Sequence, residues 1–165
     1  MGIGYSTYKV FLERLLYELK VGFGKDKILS FALFGSVARG EATMESDIDI
    51  LIVHKEIAFD PVKELVKIFF KLKGNEEYER LRKQGLRPEP YPIFMTEKDL
   101  LENPLILLDI LDHGVIIYDT GVLRDRLNAL KRRLTELGSK KIYLKDGSWY
   151  WDLKPDWKPG EVIIL

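Results

Sequence analysis

Phe34-Gly35-Ser36-Val37-Ala38-Arg39-Gly40, then Glu41-Ala42-Thr43-Met44-Glu45, then Ser46-Asp47-Ile48-Asp49-Ile50-Leu51-Ile52-Val53: this stretch decides the fold. Its first residue closes an apolar run from Ile28 to Phe34, bounded by glycine, that reads as a buried strand. Its last part, Ile48 to Val53, reads as a second one. The residues between, Ser36 to Gly40, are small or polar and too few for a full helix before the next break. Asp47 and Asp49 stand two apart at the start of the second strand, so both carboxylates project from one face while Ile48 and Ile50 take the other. Two like charges side by side are unfavourable unless a cation compensates them or one takes up a proton.

Oxygen ligands on a rigid strand suit magnesium, which is usually held by one or two carboxylates plus substrate phosphates. Gly35-Ser36 follows the neighbouring strand directly. Glycine lets backbone approach a ligand closely, and a helix start offers unpaired N–H groups to an anion. A phosphate cradle beside a carboxylate pair is the minimum apparatus for phosphoryl or nucleotidyl transfer.

Working outward, Tyr5 to Lys20 has helical spacing at Val10, Phe11, Leu15, Leu16 and Leu19, with Ser6 or Thr7 as cap and Gly22 and Gly24 as its end. Pro61 to Lys73 is a second helical pattern, capped by Asp60. Asn75 to Gln84 is almost wholly charged and reads as a solvated helix or loop. Prolines 88, 90 and 92 make the run from Pro88 to Met95 extended and restrict it to a sheet edge or an irregular strand. Thr96-Glu97-Lys98-Asp99 starts another helical stretch, broken near Pro104 and resuming to Asp112. Val115 to Tyr118 is a short strand candidate, and Val122 to Leu137 an amphipathic helix ended by Gly138. The tail from Lys140 holds all three tryptophans, with Asp146-Gly147 as a hairpin turn. The expected organisation is one mixed α/β domain over 1–139, with an aromatic, β-rich extension over 140–165 packed on it.

The composition excludes several classes. A chain of 165 residues with 46% hydrophobic and 32% charged residues is globular. Its formal net charge of +0 supplies no bulk attraction for nucleic acid or membrane. No cysteine is present, which rules out disulfides and thiolate metal sites and suits a reducing cytoplasm. The N-terminal residues lack a signal-peptide pattern, and no apolar run reaches the roughly 18 residues of a membrane span.

Gly35-Ser36 followed by Asp47-Ile48-Asp49 on a strand resembles the signature of the polymerase-β-like nucleotidyltransferase superfamily. The fuller pattern looks like its small prokaryotic branch, the minimal nucleotidyltransferases. The match falls at Phe34, Gly35, Ser36, Ala38, Arg39, Gly40, Ser46, Asp47, Ile48 and Asp49, with Ile50 where leucine is common. The resemblance implies a small mixed sheet flanked by helices and two magnesium ions shared by three carboxylates. It further implies transfer of a nucleoside monophosphate from a triphosphate, ATP being expected, to a hydroxyl-bearing acceptor.

The family's third carboxylate lies on a later strand beside the first two. Glu89, in the next extended segment, is the candidate, and Asp99 the fallback. The expected catalytic and metal set is therefore Asp47, Asp49 and Glu89, with Gly35, Ser36, Arg39 and Ser46 at the nucleotide. Arg39 has a second reading, pairing with Glu41 or Glu45, and Ser46 one as a cap at the start of the strand. His54 and His113 lack a second ligand at metal spacing and read as structural.

The acceptor is open between a protein hydroxyl, an RNA end and a small molecule, with zero net charge arguing against a long nucleic acid. Small family members also resemble the antitoxin half of a two-protein module. That sets beside the enzyme an alternative in which the chain mainly binds a small helical partner or a nucleotide. Tryptophan and tyrosine in the tail suit core covering or a homo-oligomer interface more than stacking on a base.

Overall fold

The computed structural model describes residues 2–165. The chain divides into two compact units, Met1–Arg124 and Asp125–Leu165. In the first, strands β1 (Ile28–Leu33), β2 (Ile48–His54), β3 (Pro90–Thr96) and β4 (Val115–Asp119) form one sheet in the order β3-β2-β1-β4. β1 runs antiparallel to β2 and to β4, whereas β2 and β3 are parallel. The proline-bearing strand β3 occupies an edge, where missing amide donors do least harm.

Helices flank this sheet because both of its faces are apolar. Ile48, Ile50 and Ile52 of β2 join Phe31 and Leu33 of β1 in a core with helix α1 (Tyr5–Phe23), which contributes Tyr8, Phe11, Leu12, Leu15, Leu19 and Phe23. Leu65, Ile68 and Leu72 of α3 (Pro61–Leu72) and Tyr78 and Leu81 of α4 (Glu76–Lys83) complete that core. On the opposite face Ala32, Leu51 and Val53 are fully buried as well. Helix α5 (Glu97–Leu101) packs against β2 and β3, and α6 (Ile106–His113) buries Leu107, Leu108 and Ile110.

Several local expectations hold and several are corrected. Asp60 caps α3, its Oδ1 accepting from Val62 N at 2.9 Å. α1 is capped not by Ser6 or Thr7 but at Gly4, whose N–H donates to Thr7 Oγ1 at 3.4 Å. Gly24, at φ 105°, ends α1 as expected, whereas Gly22 lies within its last turn, so close to α3 that a Cβ there would meet Glu64 Oε1 at 2.9 Å and Ile68 Cδ1 at 3.1 Å. The charged run after Asn75 forms a helix capped by the Asn75 side chain, held in place by Tyr78 and Leu81 on its one apolar face. Gly35–Arg39, too short to be expected as a helix, forms a single turn, α2.

α7 (Val122–Glu136) spans the boundary between the two units. In the second unit Leu127, Leu130 and Leu134 are its buried positions, at helical spacing. Strands β5 (Lys140–Tyr143) and β6 (Trp149–Asp152) form the expected hairpin. Asp146 Oδ1 accepts from Ser148 N at 2.9 Å in its turn, and Gly147 takes a φ of 85°. Among the described residues no helix is long and apolar enough to cross a membrane.

Candidate active site

β2 alternates strictly, so with Ile48 and Ile50 committed to the core Asp49 must face the other side. Asp47 lies just ahead of the strand and is exposed, close enough to Asp49 for its charge to act on that carboxyl. The end of β1 meets this point. Phe34 N donates to the carbonyl oxygen of Asp49 at 3.0 Å, which stitches the β1–α2 turn onto β2. Gly35 then takes a φ of +70°, and a Cβ on it would lie 2.1 Å from Asp49 Oδ2. Only glycine combines that backbone angle with that closeness. Gly40, at φ 73° in the left-handed region, ends α2, and Glu41 N donates to Ser36 O at 2.9 Å.

A residue outside the expected set completes the arrangement. Asp109 of α6 accepts from Gly35 N at Oδ2, 3.2 Å, and pairs through Oδ1 with Arg39 Nη1 at 3.3 Å. Arg39 also donates to Glu41 Oε2 at 3.0 Å, so of its two expected carboxylate partners it takes Glu41, and it adds Asp109. The signal for Asp109 was present: it is a lone carboxylate inside the apolar run Ile106-Leu107-Leu108-Asp109-Ile110-Leu111. Burial, then the negative charges of Asp47 and Asp109, push the Asp49 carboxyl above its ordinary value, and Arg39 opposes them in part.

Glu89 lies one residue before β3. The register pairs Ile48 with Pro90 and Asp49 with Tyr91, and Ile48 N donates to Glu89 O at 2.9 Å. Glu89 is therefore level with Asp47 on the adjacent strand. Its carboxylate contacts Arg87 at 3.7 Å, a loose and half-exposed pair. Ser46 closes a turn, its Oγ accepting from Thr43 N at 2.9 Å. Asp99 is occupied elsewhere, accepting from Thr96 N and Oγ1, each at 2.7 Å, as part of the α5 cap. His54 is buried, Nδ1 lying 2.8 Å from Lys55 O, with Phe23 and Phe94 against its ring. A cavity of about 500 Å³ lined by Val10, Arg14, Asn75, Glu76, Glu77 and Arg80 contains none of the site residues.

The donor chemistry fits a hard cation at Asp47 and Asp49, since carboxylate oxygens are hard ligands and a cation would offset both the burial and the neighbouring negative charges that push the Asp49 carboxyl up. Among the described residues, no three acidic, histidine or cysteine side chains are gathered closely enough to enclose a metal by themselves. What the geometry offers is the Asp49 carboxylate against a glycine turn, with the exposed Asp47 two residues ahead of it.

Residues 12–117 match the nucleotidyltransferase domain family, and the chain belongs to it. It is a transferase of mixed α/β fold, with a four-stranded sheet flanked by helices. Two curated proteins of Methanocaldococcus jannaschii are similar to it. One, named "Putative protein adenylyltransferase MJ1379", is 39% identical over 58% of this chain and 97% of its own length. The other, "Putative protein adenylyltransferase MJ1305", is 30% identical over 92% of this chain and 94% of its own length. Among solved structures, a chain from a toxin-antitoxin crystal structure with AMP-PNP aligns with a TM-score of 0.46 and 14% identity, covering 76% of this chain and 91% of that one.

Proposed function

We propose that this protein transfers AMP from ATP to a hydroxyl group on a protein, with magnesium at Asp47 and Asp49. The observation that carries the reading is the packing of Gly35 against Asp49, which seats the glycine turn directly on one of the two carboxylates. The names of the two relatives support AMP as the group and protein as the acceptor. Gly35, Ser36, Arg39 and Ser46 hold the triphosphate on this reading. Glu89 joins the carboxylates by leaving Arg87, a small change because an exposed pair is worth about 0–1 kcal/mol.

In the transfer the acceptor oxygen attacks the α-phosphorus. The bond from that phosphorus to the oxygen bridging the α- and β-phosphates breaks, and pyrophosphate leaves with that bridging oxygen. The hydroxyl proton passes to solvent. Magnesium, when bound, neutralises phosphate charge and makes the attacking hydroxyl more acidic. The protein's share is placement: Asp49 is pinned by the Phe34–Asp49 backbone bond, and the turn that faces it is pinned by the same bond. A cytoplasmic location suits a chain without cysteine.

Calorimetric titration with a non-hydrolysable ATP analogue, with and without magnesium, tests the site, beside an Asp47→Ala/Asp49→Ala double variant. Magnesium-dependent binding lost in the variant is the expected result. Label from α-labelled ATP, but not from γ-labelled ATP, should then appear on protein. Label on RNA or on a small molecule would move the acceptor. Absence of binding to every common nucleoside triphosphate would overturn the enzyme reading in favour of a binding role toward a partner such as a small helical protein.

A further inference from the structure

We infer that Asp109 is a positioning residue for the transfer reaction, bracketing the two ends of α2 so that the Gly35 turn stays seated on Asp49. The inference rests on the proposed role of that turn. α2 has five residues, and a helix so short has no stability of its own, since nucleation is unfavourable and few bonds follow it. Its shape must be imposed from outside. The backbone bond from Phe34 to Asp49 holds it from ahead, and the left-handed Gly40 stops it behind. Neither fixes the orientation of Arg39 or restrains the Gly35 amide.

Asp109 does both at once. One oxygen takes the Gly35 N–H and the other takes Arg39 Nη1, so one carboxylate spans the first and last residues of the turn. The pair is sheltered, with Asp109 20% and Arg39 24% exposed, whereas Glu41, the other partner of Arg39, is 67% exposed. Shelter makes the Asp109 contact the firmer of the two. The carboxylate also adds a third negative charge near Asp47 and Asp49, an unfavourable placement that a purely apolar packing position would not need. Both of its oxygens are already engaged, which argues for holding protein groups rather than a metal.

The test uses Asp109→Ala and Asp109→Asn in the full chain. Amide exchange followed by NMR reads the turn directly. In Asp109→Ala the Gly35 amide should exchange at least tenfold faster, while core amides such as Leu33 and Ile50 keep wild-type rates. Affinity for the magnesium complex of the ATP analogue should fall about tenfold or more, in the range typical of residues that orient others in a metal site. Asp109→Asn keeps the shape and one acceptor oxygen, so it should recover part of both losses. If Asp109→Ala does not fold, the isosteric asparagine variant alone decides, by the same two readings. Unchanged exchange at Gly35 would overturn the inference, and so would tighter nucleotide binding, which would make Asp109 a competitor of phosphate. A wild-type protein that binds no nucleotide would instead sink the proposed function, leaving the exchange result to stand separately.

Discussion

Gly35→Ala and Gly40→Ala form a matched pair that isolates the contact on which the site depends. Both glycines are in the left-handed region, at φ +70° and +73°. A Cβ in that conformation costs roughly 1–2 kcal/mol. For a domain of this size each kcal/mol lowers Tm by about 2–4 °C, so both variants should melt roughly 2–8 °C below wild type. They part in what the new methyl group meets. At Gly40 nothing lies within 4 Å. At Gly35 it would lie 2.1 Å from Asp49 Oδ2 and 3.0 Å from Asp49 Cγ. The carboxylate must therefore retreat by roughly 1 Å or more to reach ordinary contact, a misplacement that can cost on the order of 100-fold in rate. The assays are thermal unfolding, calorimetric affinity for the magnesium–analogue complex, and single-turnover transfer from α-labelled ATP. Gly35→Ala should lose transfer on the order of 100-fold and Gly40→Ala less than about threefold, at similar Tm. Equal losses in the two, or wild-type transfer in Gly35→Ala, would refute the idea that Gly35 is there to make room for Asp49.

Asp49→Asn should stabilise the metal-free protein at neutral pH. Its carboxyl binds a proton more readily folded than unfolded, so folding carries a penalty above the ordinary carboxylate range that is absent below it. In urea unfolding the gain should shrink as pH falls from neutrality toward the ordinary carboxylate range and should narrow when magnesium is added; a loss of stability at pH 7 contradicts this. Lys71→Met leaves Glu18, 4% exposed, with Arg14 at 3.5 Å as its remaining ion-pair partner in place of Lys71 at 2.6 Å. It should cost about 1–3 kcal/mol by denaturant titration, and a change within experimental error would show that Glu18 is satisfied without it. Glu89→Gln should lower transfer tenfold or more at unchanged Tm, because the side chain is half-exposed. An unaltered rate would remove Glu89 from the carboxylate set.

Local pattern reached a long way into this molecule. The apolar runs at β1 and β2, the Asp60 cap, the amphipathic α7 and the Asp146-Gly147 turn each depend on residues a few positions apart. The prolines around Glu89 specified an edge strand through the donors they lack. Where expectation and structure part, a distant neighbour intervenes. Gly22 is a site of close approach to α3 rather than a helix end, and the charged segment at α4 is helical with Tyr78 and Leu81 in the core.

The sequence by itself determined the strand faces, the carboxylate pair and the glycine turn, because side-chain alternation and backbone freedom are local properties. Tertiary structure alone decided that β3 runs parallel to β2, which sets Glu89 level with Asp47. It alone brought Asp109 across 74 residues of chain to Gly35 and Arg39. Such pairings come from packing the sheet between its helices, and no periodicity in the intervening residues encodes which carboxylate arrives.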